Sequence, residues 1–140
     1  MDTLSLKFDV PGDDFTRAGE ASGAVKRNLK QLGFSAETVR RVAISMYEGE
    51  INMVIHANGG NIEVEISPEK VFIVMADEGP GIPNIELAMS EGYSTATEQI
   101  RNLGFGAGMG LPNMMRNCDE MKIDTTVGKG TTVFMTVLHK

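Results

Sequence analysis

The chain has 140 residues, 41% hydrophobic and 23% charged, which is the size and make-up of one globular domain over residues 1–140. Its formal charge is −6 and its thirteen basic residues are dispersed, so no concentrated basic patch exists for a nucleic-acid backbone. No segment is apolar for long enough to cross a bilayer, and an alternating stretch rather than a basic and then apolar leader follows Met1, which reads as a cytoplasmic protein without membrane contact. The one cysteine, Cys118, excludes an internal disulfide and reads as packing.

In chain order, Leu4 to Val10 alternates apolar and polar as a half-buried strand does, and Pro11-Gly12 ends it. Asp13 or Asp14 then caps a helix in which Phe15, Ala18, Ser22, Val25, Leu29 and Leu32 keep helical spacing, stopped by Gly33. A second helix is expected from near Ser35 to about Ala57, broken by Asn58-Gly59-Gly60. Asn61 to Ile66 and Val71 to Ala76 form a hairpin across Ser67-Pro68-Glu69-Lys70, the second strand being apolar enough for the centre of a sheet. From Asp77 to Gly110 the pattern dissolves into Gly, Pro, Ser and Thr, apart from a short helix over 84–90, and such stretches in compact domains are lids or binding loops. A helix from about Gly110 to Asn117 and a closing hairpin, Met121 to Val127 and Thr131 to Leu138 around Gly128-Lys129-Gly130, complete the chain. The sum is a two-layer α/β sandwich, an antiparallel or mixed sheet with helices on one face. The ten methionines read as core filler.

Three segments can carry chemistry. On the second helix, Glu37, Arg41, Ser45, Glu48, Asn52 and His56 fall on one stripe, with Glu48 and Asn52 four apart, so a carboxylate suited to general-base work lies beside a carboxamide oxygen suited to Mg²⁺. The same stripe is also what the solvated face of an amphipathic helix looks like. Asp77-Glu78-Gly79-Pro80-Gly81 follows the central strand, where an aspartate can accept from an exocyclic amine while glycine backbone approaches a flat ring, or simply make a tight turn. Gly104, Gly106, Gly108 and Gly110 alternate into a helix, offering successive N–H groups and a helix N-terminus to phosphate. Leu111-Pro112 after Gly110 rules out a P-loop, which requires Lys-Ser/Thr there, and the late position rules out a dinucleotide fingerprint.

Glu48-x-x-x-Asn52, Asp77-x-Gly79-x-Gly81, the Gly106/Gly108/Gly110 loop and Gly130-Thr131-Thr132 resemble, in order and spacing over roughly residues 35–138, the four boxes of the ATPase superfamily uniting gyrase, the heat-shock chaperone, mismatch-repair ATPases and sensor histidine kinases. The short lid and the N-terminal strand plus helix are similar to the bacterial anti-sigma-factor serine kinases and partner-switching kinases. The resemblance implies a Bergerat-type fold with ATP between the long helix and the lid. It implies Asn52 as the Mg²⁺ ligand, Asp77 on the adenine amine, Gly79 and Gly81 shaping the adenine pocket, and Gly104, Gly106, Gly108 and Gly110 around the phosphates. Thr131 or Thr132 would support the adenine end, and Glu48 would be the general base.

On that resemblance the chain is expected to be a serine/threonine protein kinase acting on a small anti-anti-sigma-like antagonist and sequestering a sigma factor, with ATP and Mg²⁺ as cofactors and with a homodimer compatible with its exposed first strand. The alternatives are a nucleotide-gated binding module without turnover and an orphan histidine-kinase ATPase domain. Arg101 and the hydroxyls of Ser94, Thr95 and Thr97 are lid groups within reach of phosphate, or solvated. His56 is expected to be structural, because a histidine phosphoacceptor would sit in a separate upstream helix. Glu50 lands on the apolar side of its helix and needs a buried partner or another chain.

Overall fold

In the computed structural model, residues 3–11, 19–56, 59–79 and 110–139 are described. They form strand β1 (Leu4–Pro11), helices α1 (Glu20–Gln31) and α2 (Ala36–His56), strands β2 (Gly59–Ile66) and β3 (Lys70–Asp77), helix α3 (Gly110–Asn117), and strands β4 (Glu120–Thr126) and β5 (Gly130–Leu138). The five strands make one sheet in the order β1-β2-β3-β5-β4, and every pairing is antiparallel. β3 is central, as its apolar run predicts.

Strand alternation sorts the side chains. Ile62, Met75 and Val133 lie in one cross-strand row, Val64, Ile73 and Met135 in the next, and Ile66, Val71 and Val137 in a third. All nine are buried, six of them completely, and each contributes about 1.5–3 kcal/mol of transfer free energy. Val25 and Leu29 of α1, Val42, Met46 and Val54 of α2, and Met114 of α3 close this core from above. Five methionines (Met46, Met53, Met75, Met114, Met135) sit in it, which is the filler role expected of them. The other sheet face carries half-buried Phe72 and Phe134, whose ring centroids are 6.4 Å apart, among exposed Glu63, Glu65, Lys122 and Asp124.

α2 lies close on the sheet because Gly49 has no side chain: a Cβ there would run into the Met75 thioether and approach Met114 Cε to 3.2 Å. Ser35 starts the helix as predicted, its hydroxyl accepting from Thr38 N at 3.2 Å. At the same corner the His139 ring stacks on Phe34 at 4.3 Å, accepts from Ser35 N and lies 3.1 Å from the Pro68 carbonyl.

The first helix departs from expectation. It begins at Glu20, after Gly19 in a left-handed conformation with φ of 97°, and no side chain of its own segment caps it. Asp13, Asp14, Phe15 and Ala18 lie outside the described residues. Leu32, expected on the core face, is the C-cap and is 54% exposed, because the helix ends at Gln31 and turns through Gly33. β2 starts earlier than its alternation indicates, at Gly59, since main-chain pairing with Pro11 and Val10 needs no side chain. The expected helix over 84–90 lies outside the described residues.

Candidate functional site

α2 is flanked by α1 on one side and α3 on the other, and its polar stripe faces α3. That counts against the solvated reading of the stripe. Ser45 is completely buried, and Arg41 pairs with Asp119 at 3.1 Å with both side chains under 20% exposed. Glu48 and Asn52 are half-buried. A solvated face would leave these groups in water, and among the stripe's described side chains only Glu37, in the first turn, is exposed.

The two residues four apart meet the first turns of α3. Glu48 Oε1 accepts from Asn113 Nδ2 at 3.4 Å, and Asn113 Oδ1 accepts from Arg116 at 3.4 Å. Glu48 Oε2 has no partner among the described residues. Asn52 turns Nδ2 toward the Met114 sulfur at 4.0 Å, which leaves its Oδ1 unpartnered among the described residues. A hard carboxamide oxygen so presented suits Mg²⁺, which takes one or two protein oxygens and completes its shell with phosphate and water. Among the described residues no group of three or more His, Cys, Asp or Glu could hold a metal ion. The unpartnered Asn52 oxygen fits one ligand of an ion whose remaining positions a nucleotide's phosphates and water would fill. When bound, such an ion would offset the negative charge of the phosphoryl oxygens.

Asp77 ends β3. Its Oδ1 accepts from Gly79 N at 2.9 Å and Thr131 N at 3.1 Å, while Oδ2 is unpartnered among the described residues. One oxygen fixes the carboxylate, and the other is free to accept from an amine. Gly130 makes this possible. Its φ is 140°, and a Cβ would collide with the Asp77 carbonyl. Thr131 is buried and shares a 2.9 Å hydroxyl contact with Thr125. Thr132, by strand alternation, lies on the opposite face of the sheet, opposite Ala76 and Asp124. Of the two threonines, Thr131 is the one bonded to Asp77. On the α2 side, Met53, next to Asn52, approaches Gly60, which pairs with Asp77. Gly110 opens α3, so the last glycine of the alternating run stands at a helix N-terminus. Gly81, Gly104, Gly106, Gly108, Arg101, Ser94, Thr95 and Thr97 lie outside the described residues, as does the side chain of His56, the last residue of α2.

One residue escaped the sequence. Asn113 looks like an ordinary helix residue, and only packing of α3 on α2 brings it to Glu48. Glu50, marked by the sequence as needing a buried partner, finds one in the main chain. Its carboxylate, 2% exposed, accepts from Gly19 N at 2.9 Å, Ala21 N at 3.3 Å and Ser22 N at 3.1 Å. It is the missing cap of α1, delivered from α2. Cys118 is buried, as expected, and burial, with Asp119 adding to it, pushes its thiol above its ordinary range.

Comparison with known proteins agrees with this geometry. Residues 51–140 match the family described as histidine kinase-, DNA gyrase B- and HSP90-like ATPase. The chain is 31% identical over 118 residues to the serine/threonine-protein kinase RsbT of Bacillus subtilis, covering 81% of this chain and 83% of the relative. It is 34% identical over 140 residues to the anti-sigma F factor of Caldanaerobacter subterraneus subsp. tengcongensis, covering 95% of this chain and 91% of the relative. Among solved structures, one of the RsbU and RsbW domains of a Mycobacterium tuberculosis protein superimposes with a TM-score of 0.62 at 14% identity, over 100% of this chain and 33% of that one. The mycobacterial sensor histidine kinase MprB superimposes with a TM-score of 0.54 at 16% identity, over 98% and 99% of the two chains. These structures speak for the fold alone. With a family match over residues 51–140 and relatives of this identity and coverage, the chain belongs to the histidine kinase-, DNA gyrase B- and HSP90-like ATPase family, alongside the anti-sigma F factors and RsbT.

Proposed function

We propose that this chain, as one cytoplasmic domain, binds Mg-ATP and transfers its terminal phosphoryl group to a serine or threonine of a small anti-anti-sigma-like antagonist, releasing or capturing a sigma factor as that antagonist changes state. The observation that carries the reading is the half-bound Asp77 carboxylate, one oxygen fixed by Gly79 and Thr131 and the other unpartnered, at the strand end beside the Glu48/Asn52 helix. Its free oxygen suits the adenine amine. Asn52 suits the metal, and the N-terminus of α3 suits phosphate.

In the transfer, Glu48 Oε2 takes the proton of the attacking hydroxyl while Asn113 holds Oε1. The new oxygen–phosphorus bond forms as the bond from phosphorus to the bridging oxygen breaks and ADP leaves. The names of the relatives, a serine/threonine-protein kinase and anti-sigma F factors, support both the reaction class and the partner class. No helix among the described residues is long and apolar enough to cross a membrane, in keeping with a partner met in solution.

Calorimetric titration with ATP and Mg²⁺, followed by radiolabel transfer to a purified anti-anti-sigma-like antagonist, tests the reading. Asp77→Asn should lose nucleotide binding at least tenfold, and Glu48→Ala should bind ATP as the parent does while transfer falls at least a hundredfold, both on the order of the usual effects of such groups. Absence of ATP binding in the parent chain would sink the proposal. Binding without transfer would make the chain a nucleotide-gated module, and acid-labile label on the acceptor would make it a histidine kinase domain.

A further inference from the structure

The site occupies the α3 flank of α2, whereas the α1 flank carries a second concavity that the proposed reaction does not use. Between α1 and α2, near their connection, lies a groove of about 440 Å³. Val39, Ala43 and Ile44 form its floor and Phe34 closes one end, held there by the His139 stack. Lys26 and Lys30, four apart on α1, stand on one rim and Arg40 of α2 on the other. All three cations are exposed, and none makes an ion pair among the described residues. One turn beyond Ala43 on the same face, Tyr47 is 41% exposed and prolongs the apolar strip.

The charge of the groove runs against that of the molecule. A chain with a formal charge of −6 gathers three of its thirteen basic residues, unpaired, around one apolar slot. Cations so placed gain nothing from each other, and an apolar floor gains nothing from water, but both gain from an occupant that is acidic along its edges and apolar along its centre. The shape narrows the choice further. From Ala36 to Ile44 the floor runs about 12 Å, two helical turns, and the small Ala36 and Ala43 allow a backbone to lie close. An edge strand would need unpaired main-chain groups to pair with, and the walls here are helices whose main-chain groups are already bonded.

We infer that the α1–α2 groove is a docking surface for an acidic amphipathic helix of a partner protein, placed on the opposite flank of α2 from the nucleotide site and independent of the catalytic reading. The partner's apolar residues at i, i+3/i+4 and i+7 would seat on Val39, Ala43 and Ile44, with flanking carboxylates meeting Lys26, Lys30 and Arg40.

The full chain can be titrated with two fluorescent helical peptides that share one Leu/Ile stripe, one flanked by Glu and the other by Lys, reading anisotropy and backbone amide shifts. The expected result is that the Glu-flanked peptide binds at least tenfold more tightly, that its shift changes centre on residues 26–47, and that the triple variant K26E/K30E/R40E reverses the preference. Ala43→Leu, which keeps every charge and fills the floor, should weaken binding at least fivefold with unchanged circular dichroism. The inference is overturned if neither peptide binds, if both bind equally, if the shifts fall on α3, or if anionic phosphatidylserine vesicles bind the chain through these cations while the peptides do not.

Discussion

Glu50 sits two residues from Glu48 and two from Asn52, yet it works on the other flank of α2. Its three main-chain donors make it a charge-assisted cap for a helix that has none of its own. Glu50→Ala would leave the N–H groups of Gly19, Ala21 and Ser22 facing a void, so a loss of about 2–4 kcal/mol is expected, read as a fall of about 10 °C in Tm. An unchanged Tm would show that water replaces the carboxylate at no cost. The sequence marked Glu50 as anomalous but could not supply its partner, because main-chain donors leave no trace in residue identity. At the same scale, the raised Cys118 thiol stays protonated near neutrality, so its alkylation at pH 8 should run at least tenfold slower than that of an unfolded control. The sign follows for stability: a folded-state value above the unfolded one favours the fold at pH below the unfolded value, and that contribution is lost as pH rises through the folded value.

Among the elements, α2 and α3 form the working pair. Helical spacing alone located Glu48 and Asn52 on a common stripe, and the roles proposed for them came from the resemblance, not from that spacing. What spacing could not reveal was which neighbour the stripe faces, since a polar stripe looks the same against water as against a second helix. Asn113 is the consequence of that contact. Its amide bridges Arg116 to Glu48, so Asn113→Ala is expected to lower the rate of phosphoryl transfer by about tenfold while leaving ATP affinity within about twofold, if the residue acts through the proposed base Glu48. Asn113→Asp, which sets a second carboxylate against Glu48, should be worse, and partial recovery in Asn113→Gln would separate positioning from simple destabilisation. A matching drop in ATP affinity would refute the assignment. The threonine pair carries a related lesson: both were plausible from Gly130-Thr131-Thr132, and only the strand's period of two assigns Thr131 to the Asp77 side.

For the molecule as a whole, the sheet and helix order were legible because alternation, apolar runs and glycine breaks agreed with one another along the chain. The start of α1 was not, since its cap comes from a residue about thirty positions away. A ligand that engages Asp77, Asn52 and α3 together ties β3, α2 and the C-terminal elements into one unit and should stabilise all of them. At about a hundredfold excess over Kd, Mg-ATP is expected to add about 2.7 kcal/mol, raising Tm by about 8 °C. Asp77→Asn should abolish that rise, and a rise that persisted would move the nucleotide elsewhere.

β3 and β5 are hydrogen-bonded neighbours, although residues 80–109 separate β3 from α3 in the chain. One end of that stretch leaves a paired strand and the other enters a helix packed on α2. A chain in which residues 80–109 are replaced by the matching stretch of another family member is therefore expected to keep the sheet and the Asp77–Thr131 bond, read as an unchanged circular dichroism spectrum.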